Sequence, residues 1–148
     1  MNDIDERLTR DLLESLTTVS RRLRTLFNAR VTAHGLTYPR ARALIFLLRK
    51  PGMTQSELAC RMDVEQPTVV RLLDRMEEHN LIRRVHDEDD RRVKKIQLTH
   101  EGEVSGELVQ SIGEAIRHEV FRDVATEDLE VAISVLNAAS LNASEKGS

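Results

Sequence analysis

Residues 87–95 read Asp-Glu-Asp-Asp-Arg-Arg-Val-Lys-Lys, a run of carboxylates leading straight into a run of cations. Residue types of this kind suit a solvated turn, a metal-binding turn, or part of a surface that meets phosphate. Metal-ligand spacing is absent: His34, His79, His86, His100 and His118 are scattered, and with Cys60 they form neither an HExxH nor a CxxC pattern. Glu114 and His118 stand at i, i+4, a common incidental pair. No Gly-x-Ser-x-Gly, P-loop or paired catalytic carboxylates occur. The expectation is therefore no metal, no cofactor and no enzymatic activity. Cys60, beside Ala59, is expected to be a buried structural residue, because a redox sensor needs its thiolate in an activating setting.

A second stretch carries chemistry of a different kind. In Glu65-Gln-Pro-Thr-Val-Val-Arg-Leu-Leu-Asp-Arg-Met-Glu-Glu-His, residues Val69, Leu72, Leu73 and Met76 fall at i, i+3, i+4 and i+7 and make one buried stripe. Thr68, Arg71 and Arg75 lie on the opposite side. Gln66, Thr68 and Arg71 near the N-terminal end can bond base edges or phosphates, and Val70 can touch a thymine methyl. Net charge argues weakly against such a role, since the 148 residues hold 22 Lys/Arg against 25 Asp/Glu. The average hides an asymmetry: residues 1–100 carry 19 Lys/Arg and 15 Asp/Glu, residues 101–148 carry 3 and 10. A chain basic early and acidic late presents a positive face while staying soluble. Four aromatics are too few for a base-stacking platform, so duplex DNA is favoured over single strands or RNA.

These residues need a frame. Apolar positions from Ile4 to Val31 predict a helix over 4–34, closed by Gly35. Pro39 opens a helix over 39–49, and Pro51-Gly52 ends it. Thr54 with Glu57 three residues later is a capping box for a short helix to about Arg61. A tight turn at Met62-Asp63-Val64 leads into the helix of 66–79, with Pro67 in its first turn and Asn80 ending it. The period then changes: residues 81–86 and 93–99 read as two strands joined by the acidic turn. Thr99 caps a helix of 100–123 and Thr126 one of 127–141, followed by a frayed tail. A short helix, tight turn and second helix followed by a β-hairpin is the winged helix-turn-helix order. The fold class expected is mainly α with a small β-hairpin wing. No apolar run approaches the ~20 residues that span a bilayer, and the acidic start is no secretory signal. A cytoplasmic protein with no membrane partner is expected.

Residues 53–103 closely resemble the MarR family of bacterial transcription regulators, and within it the SlyA-like branch. The matching features are the 65–77 segment, the Leu81-Ile82-Arg83-Arg84 start of the wing, Asp90-Arg91-Arg92 as an Asp-x-Arg wing motif, and Leu98-Thr-His-Glu-Gly102 as a closing Leu-Thr-x-x-Gly. Asn80 stands where such proteins usually carry Gly. The resemblance implies a homodimer, with residues 1–34 and 100–148 as a helical dimerisation region and 35–99 as the DNA-binding region. It implies a grip on palindromic double-stranded DNA, with helix 66–79 in the major groove and wing 83–98 in the minor groove, relieved by a small aromatic anion. The candidate DNA contacts are Thr54, Gln55, Ser56, Gln66, Pro67, Thr68, Val70, Arg71, Arg75, Arg91, Arg92 and Lys94. Arg92 is expected to enter the minor groove, aimed by Asp90 and Glu65, while Asp87, Glu88 and Asp89 face solvent. Arg22, His34, Tyr38 and Arg42 are the candidate effector-binding residues.

Overall fold

Three helices of the chain end in the same way, and those endings set the layout. At Gly35, Asp63 and Asn80 the backbone turns left-handed, with φ of 78°, 55° and 57°. The next residue is apolar each time: Leu36, Val64 and Leu81 donate their N–H groups to Val31, Ala59 and Met76 at 3.1, 3.1 and 2.9 Å. This is the Schellman ending, which satisfies orphan carbonyls and folds an apolar side chain back onto the helix just left. Asn and Asp tolerate the left-handed region better than other side chains, so Asn80 serves where glycine is usual.

The computed structural model describes residues 3–145, with side chains from residue 5 onward. Ile4 and residues 146–148 of the tail lie outside the described side chains. The order is α1 (Asp3–Ala33), α2 (Tyr38–Arg49), α3 (Gln55–Met62), α4 (Gln66–Glu78), β1 (Ile82–His86), β2 (Lys94–Leu98), α5 (His100–Phe121) and α6 (Thr126–Glu145). This is a mainly helical, winged helix-turn-helix architecture, as the patterning predicts. Among the described residues no helix is long and apolar enough to cross a membrane.

Several boundaries differ from expectation for local reasons. α2 begins one residue early because Thr37 caps it, its Oγ1 accepting from the Arg40 N–H at 3.4 Å. Thr54 caps α3 by accepting from the Glu57 N–H at 3.1 Å, but the box is not reciprocal. The Glu57 carboxylate instead pairs with Lys50 Nζ at 3.1 Å. Thr126 is the first residue of α6, not its cap, and α6 runs on to Glu145 through the segment expected to fray. Thr99 does cap α5: its Oγ1 accepts from the Gly102 N–H at 3.0 Å and donates to the Asn80 carbonyl.

By its contacts the chain divides into two units, residues 1–116 and 117–148. In the first, Leu44 and Leu47 of α2, Leu58 of α3, Val69, Leu73 and Met76 of α4, Ile82 and Ile96 of the hairpin and Val109 of α5 build one core. Fully burying a side chain of this size is worth about 1.5–3 kcal/mol. Leu72 packs on this core only half-buried. Gly106 of α5 is buried against Leu44 and Leu48 of α2. The amphipathic pattern of α1 is spent unevenly: Val31 is buried, whereas Leu8, Leu12, Leu13, Leu16 and Val19 are exposed. In the second unit α6 buries no residue at all and exposes Val131, Ile133, Val135, Leu136 and Leu141.

Candidate nucleic-acid interface

β1 and β2 pair antiparallel with Ile82 opposite Leu98, Arg84 opposite Ile96 and His86 opposite Lys94. Beyond the last pair the chain closes through Asp87 N–H to Val93 O at 2.9 Å and Val93 N–H to Asp90 O at 3.0 Å. The hairpin is anchored to the start of the helix-turn-helix. The Ile96 N–H donates to Met53 O at 2.9 Å, and Thr54 bridges Lys95. The wing and the N-terminus of α3 thus share backbone hydrogen bonds, which join the base of the wing to the helix-turn-helix.

The acids of the turn have separate duties. Asp90 Oδ1 accepts from the Arg92 backbone N–H at 3.0 Å and from Arg92 Nε at 3.1 Å, while Oδ2 accepts from Nη2 at 3.4 Å. One carboxylate therefore fixes both the backbone and the guanidinium of a residue whose side chain is 91% exposed. Asp87 departs from expectation: it does not simply face solvent, but is only 23% exposed and pairs with Lys95 Nζ at 3.3 Å. Glu88 and Asp89 are exposed. Glu65 sits at the N-cap of α4 and makes no side-chain capping bond; its carboxylate is placed to favour the helix dipole.

The bonds from Arg92, side chain first and backbone second, hold the Asp90 carboxyl below the usual carboxylate range. A carboxylate with a depressed pKa contributes its contact fully above the unfolded value of ~3.9 and loses it only as pH falls through the lowered value. The brace is thus expected to be unchanged between pH 8 and 5. A side-chain carbon NMR titration should place Asp90 below ordinary aspartate, and Arg92→Ala should return it only partway, because the backbone N–H at position 92 still donates to Asp90 Oδ1. An ordinary Asp90 titration in the native chain contradicts the brace.

On α4 the side chains of Gln66, Pro67, Thr68, Arg71 and Arg75 are exposed, and Val70 is half-buried. Gln66 Nε2 donates to Ser56 Oγ at 2.8 Å, tying the first turns of the two helices together. Thr54 is occupied as the α3 cap, and Gln55 accepts from Arg84 Nη1 at 3.4 Å. Arg91, Arg92 and Lys94 are exposed on the wing. The cations of α4 and those of the wing tip therefore belong to one hydrogen-bonded frame. Sequence patterning missed Arg84, which reaches α4 from β1. Its neighbours Asp74 and Glu77 are three apart on α4, a spacing that signals a shared face, yet nothing local says what meets it.

The expected effector residues separate. Tyr38 and Arg42 line a cavity of about 390 Å³ with Ser20, Leu23, Arg24, Phe27, Ile45, Phe46 and Arg49. Arg24 and Arg42 lie over the Tyr38 ring at 5.6 and 5.8 Å, and Arg42 is 5.9 Å from the Phe46 centroid. Phe27 meets Tyr38 edge-to-face at 5.9 Å. Arg22 lies instead in a shallow depression along α1 with Asp11 and Glu14, and His34 is exposed away from the cavity lining. Both are expected beside Tyr38, but one residue of helical phase carries Arg22 off the face that Leu23 and Arg24 present to the cavity. Cys60 is exposed rather than buried, because the short α3 turns Ala59, not Cys60, to the core.

Residues 36–94 match the MarR family model. A solved transcriptional regulator designated PA3341 is 31% identical, with 90% of this chain and 98% of that one covered at a TM-score of 0.82. A MarR family protein from Bacillus stearothermophilus is 28% identical over 97% of this chain and 99% of its own, at a TM-score of 0.79. MepR of S. aureus, solved with DNA, shares the fold at 24% identity and a TM-score of 0.78, covering 87% of this chain and 96% of that one.

Proposed function

We propose that this chain, which belongs to the MarR family, is a DNA-binding transcriptional regulator that acts as a homodimer on palindromic operators. MarR family proteins are transcription regulators, not enzymes. The observation that carries the proposal is the braced, exposed Arg92 in the same frame as the exposed cations of α4. An α-helix fits the major groove of B-DNA, and an arginine on a protruding hairpin fits the minor groove. α4 is accordingly assigned to the first and the wing to the second. MepR, of the same fold, is solved with DNA, which supports the same partner here. The wing and α4 motifs further support a place in the SlyA-like branch.

A homodimer is supported by the apolar side chains of α1 and of α6 that each unit leaves exposed. Large apolar side chains left exposed along a helix are a mark of interaction sites. Selection of bound fragments from the source genome, followed by light scattering of the complex, tests both parts together. The expected result is an inverted-repeat site carrying two chains. A folded monomer at low micromolar concentration, or selection of no common site, overturns the reading.

The cavity beside Tyr38 suits a small aromatic anion. Three arginines line it with three aromatic rings, and no carboxylate lines it among the described residues. Arg42 also donates through Nη1 to the Met62 carbonyl at 3.2 Å, at the end of α3. A carboxylate drawn to Arg42 competes with that carbonyl and so acts on the turn between α3 and α4. Millimolar salicylate is expected to raise the melting temperature and to weaken operator binding. An unchanged melting temperature and affinity reject this effector class.

A further inference from the structure

Arg84, on β1, is enclosed to an unusual degree for a cation on this face, its side chain being 18% exposed. Nε and Nη2 donate to Glu77 Oε2 at 2.9 and 2.6 Å, and Nη2 also donates to Asp74 Oδ1 at 2.6 Å. Nη1 donates to Gln55 Oε1 at 3.4 Å. A single side chain from the wing therefore holds α4 at two positions one turn apart, and α3 at its first residue. Burial acts against the charge, but the bonds to Glu77 and Asp74 together outweigh it and leave the guanidinium pKa raised.

An apolar contact would join strand to helix as well as an ion pair does, because desolvation offsets much of the Coulombic gain. A planar fork bonded to several acceptors adds direction, which a point charge such as lysine does not. Direction matters here because Arg71 and Arg92 sit on different elements. When two contacts are held at a fixed separation, the first makes the second effectively intramolecular.

We propose that Arg84 is the positioning residue that fixes the wing against the recognition helix, so that Arg71 and Arg92 engage one DNA site together while Arg84 itself touches none. This rests on the DNA-binding reading above. Two backgrounds remove the clamp: Arg84→Met, and Asp74→Ala/Glu77→Ala. The second truncates carboxylates that are 50% and 41% exposed and places good helix formers on α4; the first leaves no enclosed charge without a partner, so it keeps the fold even if the second does not. Operator affinity is measured at fixed salt, with circular dichroism confirming the folded state.

In the native background Arg92→Ala is expected to weaken operator binding about tenfold. In either clamp-free background the same substitution should weaken it less than about twofold, while Arg71→Ala keeps its full cost. A merely stabilising Arg84 predicts that both costs survive in the folded protein, and that result overturns the proposal. A native chain that binds no selected duplex, or an Arg92→Ala that costs nothing in it, overturns the DNA-binding reading and this proposal with it.

Discussion

Gly102→Ala is expected to destabilise the chain by about 3 kcal/mol, lowering its melting temperature by roughly 10 °C at fixed protein concentration. A Cβ at that position falls 1.9 Å from the Leu81 carbonyl oxygen and 3.0 Å from its carbon, with Leu98 Cδ2 at 3.2 Å. The obstacle is backbone, so no rotamer change relieves it. Nor is Leu81 free to retreat: its carbonyl accepts from the Thr99 N–H at 3.0 Å, and its N–H closes α4 on Met76 at 2.9 Å. Moving it disturbs the α4 ending, the start of β1 and the α5 cap together. Gly106, four residues on in the same helix, provides the matched control. A Cβ there meets Leu44 and Leu48 atoms at 3.6 Å, ordinary contact. Gly106→Ala should therefore stabilise by about 0.5–1 kcal/mol through reduced unfolded-state entropy. Thermal unfolding of the two variants decides it: equal, small shifts at both positions would show that Leu81 yields and that the close approach is not a constraint.

That contrast shows where the sequence was legible. The Leu-Thr-x-x-Gly stretch marks Gly102 as special, but the reason is a carbonyl 21 positions earlier, which local pattern does not reveal. Signals confined to a few residues read well: Thr54 and Thr99 as caps, Pro67 in the first turn of α4, and Asn80 in a left-handed ending. So did the switch in period at residue 81. Signals that depend on which partner arrives did not. Glu57 completes a capping-box pattern, yet Lys50 takes its carboxylate. Asp87 looks like solvated charge until Lys95 is brought across the hairpin. Arg84 needs three elements to converge before its role exists, and Arg24 and Arg49 join the Tyr38 cavity only once α1 packs on α2. Cys60 failed for another reason: on an eight-residue helix a one-residue error in phase exchanges the buried and exposed faces.

The wing tip carries the largest expected effect on binding. Arg92→Ala should weaken the operator complex about tenfold or more, close to 1.4 kcal/mol for each factor of ten. It should lower the salt dependence by about one phosphate-equivalent per wing. An arginine in the minor groove reads width and negative potential rather than base identity, so the loss should be greatest on A·T-rich flanks. Asp90→Ala then asks what the carboxylate is for. Its charge lies beside a DNA-contacting cation, so a simple Coulomb argument says that removing it tightens binding to any duplex. The geometry opposes that argument at the operator. Asp90 holds both the backbone N–H and the Nε of Arg92, so the guanidinium is aimed before DNA arrives. An aimed side chain loses less freedom on binding, a saving of about 0.5–1.5 kcal/mol for a rotamer-rich residue. Phosphate repulsion is screened over about 8 Å at physiological salt and falls on specific and random DNA alike. The saving applies only where the groove fits. Asp90→Ala should therefore weaken operator binding by about threefold to tenfold, while non-specific binding stays level or improves, so that discrimination drops by more than affinity. Titrations of operator and scrambled duplex at two salt concentrations separate the cases. If the variant binds operator more tightly with discrimination intact, the carboxylate acts as local charge alone, and Arg92 needs no aiming.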